Sequence, residues 1–401
     1  MKPRLFWPLA FGLLACSQTV VIAPAPGDAG RPTLDAGRAE TDLGTPDAGA
    51  APPPPVALDV LFVVDNSPSM EEEQVSLAEA IPGLVSALAT GRVLDVDTGA
   101  LVRDFPPVTS LQMGVVSADM GSGRERVPTC EGLGDDGVLS TQGAMDATPR
   151  CAASYPSFLA FEAGADGSGE EPEALAGRLA ADVACVAQLG TEGCGFEQPL
   201  EAMLKALTPA SSELRFFEGT RGNGAGGPND GFLRDDAALG IVLLTDEDDC
   251  SARDTDVYNP SSINYRGDLN LRCLNHPEAL HDVGRFVDGL LAIEPAARIA
   301  FTAIAGLPAR LAPRPGEPAN YRRMLNAPRM QERIDPDNPN ALVASCDASE
   351  RGLAYPPRRV VTLARDLEAR GAKATVQSIC TRSFSAAIAD VALRLAATLE
   401  S

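Results

Sequence analysis

The chain has 401 residues, with 33 Lys+Arg against 55 Asp+Glu, for a formal net charge of -22. That balance argues against nucleic acid as a partner, which needs cations clustered over phosphates, and against a basic patch for anionic lipid. The apolar share of 45% excludes wholesale disorder, and with aromatics at 5% the core must rest on Ala, Leu, Val and Ile.

At the N-terminus, Lys2 and Arg4 precede an apolar run from Leu5 to Leu14. The run has the length of a signal-peptide core and is too short to span a membrane. It ends Leu13-Leu14-Ala15-Cys16, which resembles the lipobox of bacterial lipoproteins. The resemblance implies a signal over 1–16, lipidation of Cys16 as the new N-terminus, and a membrane held through that lipid. Ser17, in the position that sorts such lipoproteins, favours the outer membrane. The expectation is an exported, lipid-anchored protein of the cell envelope, on its periplasmic or cell-surface side. Residues 17–56 are rich in Pro, Ala, Gly and Asp, repeat Asp-Ala-Gly three times and end in Pro52–Pro55. With little large apolar surface they read as a disordered tether of roughly 35 Å mean span.

Residues 58–64 form a near-continuous apolar run into Asp65, as a strand buried on both faces does. Residues 71–90 have helical spacing, with Glu71, Glu72 and Glu73 near the positive end of the dipole and Pro82 as the point where the helix would kink. Asp95-Val96-Asp97-Thr98-Gly99 reads as a hairpin turn, because no glutamate stands at the end position of a calcium loop. A strand is expected at 110–118, helices at 173–189 and 197–207, and the strongest strand at 239–245, running into Asp246. A helix at 278–293, a strand at 298–305, a helix at 358–370, a strand at 374–380 and a helix at 383–399 complete the pattern. Irregular insertions are expected at about 120–170, 208–237 and 307–357, the second including a glycine-rich stretch, Asn223–Pro228, that reads as flexible. Strands alternating with helices predict an α/β fold: one enlarged domain over 57–401 with a doubly wound, mostly parallel sheet and helices on both faces. Ligand sites in such sheets lie beyond the carboxyl ends of the strands.

There are 9 cysteines, and setting aside Cys16 leaves an even number. In an exported chain these suggest four disulfides. Pairing by sequence neighbours gives Cys130–Cys151, Cys185–Cys194, Cys250–Cys273 and Cys346–Cys380. Zinc is not expected, since no Cys-x-x-Cys occurs and His276 and His281 lack a ligand-like pattern; both read as surface or capping residues.

The site candidates follow from the two best strands. Asp65-Asn66-Ser67-Pro68-Ser69 places one carboxylate and two hydroxyls on a tight turn, an oxygen-rich cradle for a hard cation. This Asp-x-Ser-x-Ser, set between a buried strand and an acid-capped helix, resembles the metal-ion-dependent adhesion site of the von Willebrand factor type A (vWA) domain. Thr245-Asp246 matches the Thr-Asp after that family's later strand. The resemblance implies a metal held by Asp65, Ser67, Ser69 and Asp246, with Mg²⁺, or Mn²⁺ or Ca²⁺, as cofactor. In the family a threonine supplies a further ligand; by distance to Leu200, Cys194 stands in its place, and a disulfide sulfur is a poor Mg²⁺ ligand. Thr191, Glu197, water or no ligand at all are the alternatives for that arm. Glu247 replaces the family's glycine, and in the run Asp246–Asp249 the residues Asp248 and Asp249 read mainly as a solvated loop.

The functional expectation is a binding protein of adhesion type, in which a carboxylate of a protein partner completes the metal shell. The alternative is a structural cell-envelope lipoprotein with a vestigial metal site. An enzyme is not expected: neither histidine suits a Ser-His-Asp triad, Gly-x-Ser-x-Gly is missing, and adjacent acids on one loop do not converge as a two-metal site.

Overall fold

The computed structural model describes residues 56–145, 151–163, 171–348 and 352–400. Cys16, the signal 1–16 and nearly all of the tether lie outside the described residues. Six strands form one sheet: β1 Ala57–Val64, β2 Ser110–Ser117, β3 Leu159–Glu162, β4 Ala238–Leu244, β5 Ile299–Ala305 and β6 Lys373–Ser378. Their order is β6-β5-β4-β1-β2-β3, with every pairing parallel except that of β3 with β2. The expected mixed α/β architecture with a mostly parallel sheet is what forms. Among the described residues six longer helices accompany it, α1 Glu71–Thr90, α2 Pro172–Val186, α3 Pro199–Leu207, α4 Val283–Ile293, α5 Arg358–Ala369 and α6 Ser385–Leu399, with two short ones at Arg272–Asn275 and Tyr321–Asn326.

The alternation of β1 sorts its side chains between two layers. Leu58, Val60, Phe62 and Val64 pack with residues of α1, α2 and α6. Leu61 and Val63 pack with α3, α4 and α5. All six are fully buried, which is why the run shows no polar alternation. Each such side chain contributes about 1.5–3 kcal/mol of burial energy. One helix, α1, runs through Pro82, whose ring is exposed, and ends at Gly91 with φ 69°. Its Leu77, Ile81, Leu84, Val85 and Leu88 are fully buried on the sheet side.

Several expectations change. The turn at Asp95–Gly99 joins two short strands, Arg92–Leu94 and Leu101–Asp104, as the hairpin reading requires. The insertion at 120–170 contains the antiparallel edge strand β3 and a second hairpin, Gly123–Val127 with Cys130–Gly132. The glycine-rich stretch is packed rather than loose. Asn223 Nδ2 donates to Asp136 O (2.7 Å), and Asn229 Nδ2 donates to Gly137 O (2.9 Å) and Ala206 O (3.1 Å).

Four disulfides form among the described residues: Cys130–Cys194, Cys151–Cys185, Cys250–Cys273 and Cys346–Cys380. This corrects two of the neighbour pairings, Cys130–Cys151 and Cys185–Cys194. The sheet brings the start of the 120–170 insertion against the loop before α3, so Cys130 meets Cys194 at a Cα separation of 4.4 Å. Cys151 then meets Cys185 on α2. Disulfides on this scale fit an oxidising, exported environment. No helix among the described residues is long and apolar enough to cross a membrane.

Candidate metal site

The parallel register brings three strands to one level. Val64 of β1 pairs with Ser117 of β2 and with Leu244 of β4. The sheet order reverses between β1 and β4, where the next strand in sequence after β1 lies on the opposite side from β4; such switch points open a crevice beyond the strand ends. Asp65 and Thr245 are the first residues past these strands. Asp65 N donates to Leu244 O (2.9 Å), which carries the ladder one step into the crevice.

Asp65 is fully buried and held at both oxygens. Its Oδ1 accepts from Ser67 N (2.8 Å), and its Oδ2 accepts from Thr245 Oγ1 (2.8 Å). The first bond is an Asx turn that folds the Asp-x-Ser-x-Ser segment back over the strand end. Ser67 Oγ and Ser69 Oγ lie 3.2 Å apart. The Ser69 side chain lies beside Asp246, whose carboxyl it lowers against the larger upward push of burial, while Asp246 Oδ1 is buried without a hydrogen-bond partner. The structure thus gathers the four principal candidates, Asp65, Ser67, Ser69 and Asp246, around one point.

Two of the weaker candidates join them. Burial, then Asp65, push the Glu247 carboxyl up to about 7. Burial, then Glu247, Asp65 and Asp246, push Glu197 well above the usual carboxylate range. Asp246 itself is pushed up to about 8 by burial, then by Asp65 and Glu247. Burial also raises Asp65. Among the described residues no Lys or Arg forms an ion pair with any of these four carboxyls. Their crowding is a charge imbalance that protons or a cation must relieve. Thr191 instead lines a groove between α1 and α2, beside Glu71, Gln74 and Ala181. Cys194, in the place of the family's threonine, is committed to Cys130, and its N–H donates to Asp119 Oδ2 (3.2 Å).

These donors fit a hard divalent cation. Neighbouring oxygens in a Mg²⁺ octahedron stand about 2.9 Å apart, from bond lengths of about 2.0–2.1 Å. The Ser67–Ser69 pair is close to that spacing, and the orphaned Asp246 oxygen has the charge to balance a cation. Hydroxyls supply much of the set. Among the described residues, no group of three or more His, Cys, Asp and Glu side chains is arranged to hold a metal ion.

The solvated-loop reading of Asp248 and Asp249 is corrected. Asp248 accepts from Arg359 N at both oxygens (2.9 Å each) and from Val360 N (3.3 Å), and so satisfies the open first turn of α5. Asp249 is 1% exposed. It accepts from Leu200 N (3.0 Å) and Ser251 Oγ (2.6 Å) and pairs with Arg359 (3.0 Å). The two acids next to the site are therefore structural. Of the histidines, His276 contacts Glu278 and Arg266 O, and His281, half-buried against Phe286, is pushed down to about 4 by burial and nearby arginines. Gln74 was not legible from sequence. Its Nε2 donates to Asp65 O (2.9 Å) and Gly190 O (2.8 Å), tying the site turn to the next loop, and nothing in the spacing of a helical glutamine signals that.

No family model matches the chain, and no curated protein matches it significantly. Among solved structures, proximal thread matrix protein 1 from the mussel byssus is 14% identical, with a TM-score of 0.27, over 63% of this chain and 38% of that one. The human COPII-coat protein Sec24c is 9% identical, with a TM-score of 0.25, over 62% of this chain and 26% of its own. The chain thus spans well under half the length of either, and likenesses this slight carry no argument about function.

Proposed function

We propose that the protein is a vWA-type binding protein of the cell envelope, anchored through Cys16, that engages a protein partner by way of a divalent cation. The observation that carries this is the meeting of Asp65, Ser67, Ser69 and Asp246 at the switch point, with a buried Asp246 oxygen lacking any partner. When bound, the cation supplies a coordination position for a carboxylate of the partner. Ser67 and Ser69 hold it by their hydroxyls. Asp65 orients the turn, and Asp246 balances charge from the β4 side. Glu197 takes the place of the family's threonine arm at the rim. The lipid and tether hold the domain off the membrane, in line with the four disulfides of an exported protein. Calorimetry with Mg²⁺, Mn²⁺ and Ca²⁺ tests the reading on the full chain carrying Cys16→Ser. Metal heat that disappears in Asp65→Ala and in Ser67→Ala/Ser69→Ala supports it; no heat, or heat unchanged in both variants, overturns it.

One observation favours a second reading. The disulfide of Cys194 removes the family's usual ligand position, as a structural envelope lipoprotein with a vestigial site would tolerate. Cross-linking in cells separates the two, because partner capture that survives a chelator belongs to the structural role.

A further inference from the structure

The acidic chain contains stretches of opposite sign, and one of them lines a groove. Residues 309–333 carry six arginines against two glutamates, within a chain of net charge -22. Three of those arginines, Arg310, Arg322 and Arg323, line a groove of about 480 Å³ together with Asn320 and Asn326, and no lining residue is acidic. All three are exposed. Among the described residues none of the three forms an ion pair. With acids outnumbering bases so heavily, random placement would bring carboxylates to such a groove.

The backbone beneath the arginines is well anchored. Tyr321 Oη donates to Ala374 O of β6 (2.9 Å), and Met324 and Met330 are fully buried. Asn320 Oδ1 accepts from Arg323 N (3.0 Å) and closes the short helix Tyr321–Asn326. Arg323 Nη2 donates to Arg310 O (3.4 Å), which brings the two arginine-bearing segments together. A guanidinium carries five donors in a planar fork, so most of this donor set remains available. An anchored backbone lowers the ordering cost of binding.

We propose that the Arg310–Arg322–Arg323 groove is an anion site for a phosphate group, carried by a soluble phosphorylated ligand or by a lipid headgroup. A carboxylate offers two oxygens and is satisfied by one fork. A phosphomonoester carries about -1.5 to -2 charge and three acceptor oxygens, which suits several guanidiniums at once. The groove volume lies within the range of about 300–1,000 Å³ typical of small-ligand sites. This groove shares no lining residue with the cation site, and the proposal does not rest on that site.

The test uses the full chain carrying Cys16→Ser, so that no lipid anchor contributes, with two probes, inorganic pyrophosphate and phosphatidylcholine vesicles containing phosphatidic acid, whose headgroup is a phosphomonoester. Arg310→Ala/Arg322→Ala/Arg323→Ala is compared with Arg92→Ala/Arg126→Ala/Arg382→Ala, which removes the same charge from other exposed positions. Saturable pyrophosphate binding weakened at least tenfold in the groove triple, and less than twofold in the control triple, supports the site with a soluble ligand. Binding to the vesicles alone, lost in the groove triple only, supports it with a lipid headgroup. Equal weakening in both triples, or no binding of either probe, overturns the proposal.

Discussion

Gln74 and Gly190 are joined by a closed pair of hydrogen bonds. Gln74 Nε2 donates to Gly190 O (2.8 Å), and Gly190 N donates back to Gln74 Oε1 (3.0 Å). The same Nε2 donates to Asp65 O (2.9 Å). One buried glutamine on α1 therefore fixes both the Asp-x-Ser-x-Ser turn and the loop that leads to Cys194. Close by, Gly193 N donates to Asn66 O (2.9 Å), and a Cβ at Gly193 would stand 2.3 Å from Asn66 Oδ1, so only glycine allows the two loops to approach.

Replacing Gln74 by Ala leaves the Asp65 and Gly190 groups unpaired in a buried setting. The expected cost is about 2 kcal/mol, from the range for orphaned buried groups. Urea unfolding of Gln74→Ala against wild type measures it. A loss smaller than that of an exposed control such as Glu79→Ala would show that the bridge holds nothing.

The carboxyl cluster sets a pH dependence. Asp246 is pushed up to about 8 and Glu247 up to about 7, both by burial first. Unfolded carboxyls titrate near 4. Between about pH 4 and 8 the folded state therefore holds protons that the unfolded state has released, and stability falls as pH rises across that window. In EDTA, the urea midpoint should drop from pH 5 to pH 8, the slope should flatten in Asp246→Asn, and Mg²⁺ should restore the midpoint at pH 8. A midpoint rising with pH in EDTA contradicts the assignment of the cluster.

Much of the fold was legible because burial on both faces writes itself into composition. β1 and β4 lack polar alternation, and α1 shows an unbroken 3.6 spacing, so all three stand where the pattern places them. Asp65 and Asp246 were legible for the same reason, as polar residues ending apolar runs. β3 was not: it has four residues, pairs with only one neighbour and buries only Phe161 fully, so its periodicity is too short to read. Asp248 and Asp249 were misread because the groups that bury them lie far off in sequence, Arg359 and the first turn of α5 more than a hundred positions away and Leu200 49 away. No local pattern marks an acid as the cap of a distant helix.

That distant contact makes its own prediction. Asp249 and Arg359 are an ion pair whose carboxylate is fully buried. Removing one partner strands the other, at a typical cost of about 3–5 kcal/mol. Asp249→Ala should lose that much in urea unfolding, because Leu200 N and Ser251 also lose their acceptor. Glu213→Ala, at an exposed position, should change stability by less than about 0.5 kcal/mol. Equal effects would remove the structural role assigned to the acidic run.

The Cys130–Cys194 bond joins residues 64 apart. Closing a loop of that length restricts the unfolded chain by about 4 kcal/mol in the chain-entropy model. In the folded state the bond fixes the loop that carries Gly193 and Glu197 against the 123–132 hairpin, so it sets the rim of the cation site as well as stability. Two measurements check this. Protease mapping without reduction should recover the Cys130 peptide linked to the Cys194 peptide, and the Cys151 peptide linked to the Cys185 peptide. The double variant Cys130→Ala/Cys194→Ala should lose about 4 kcal/mol and bind Mn²⁺ more weakly than wild type. Recovery of Cys130 linked to Cys151 would contradict the connectivity. Unchanged Mn²⁺ affinity in a folded double variant would show that the loop, and Glu197 with it, takes no part in holding the cation.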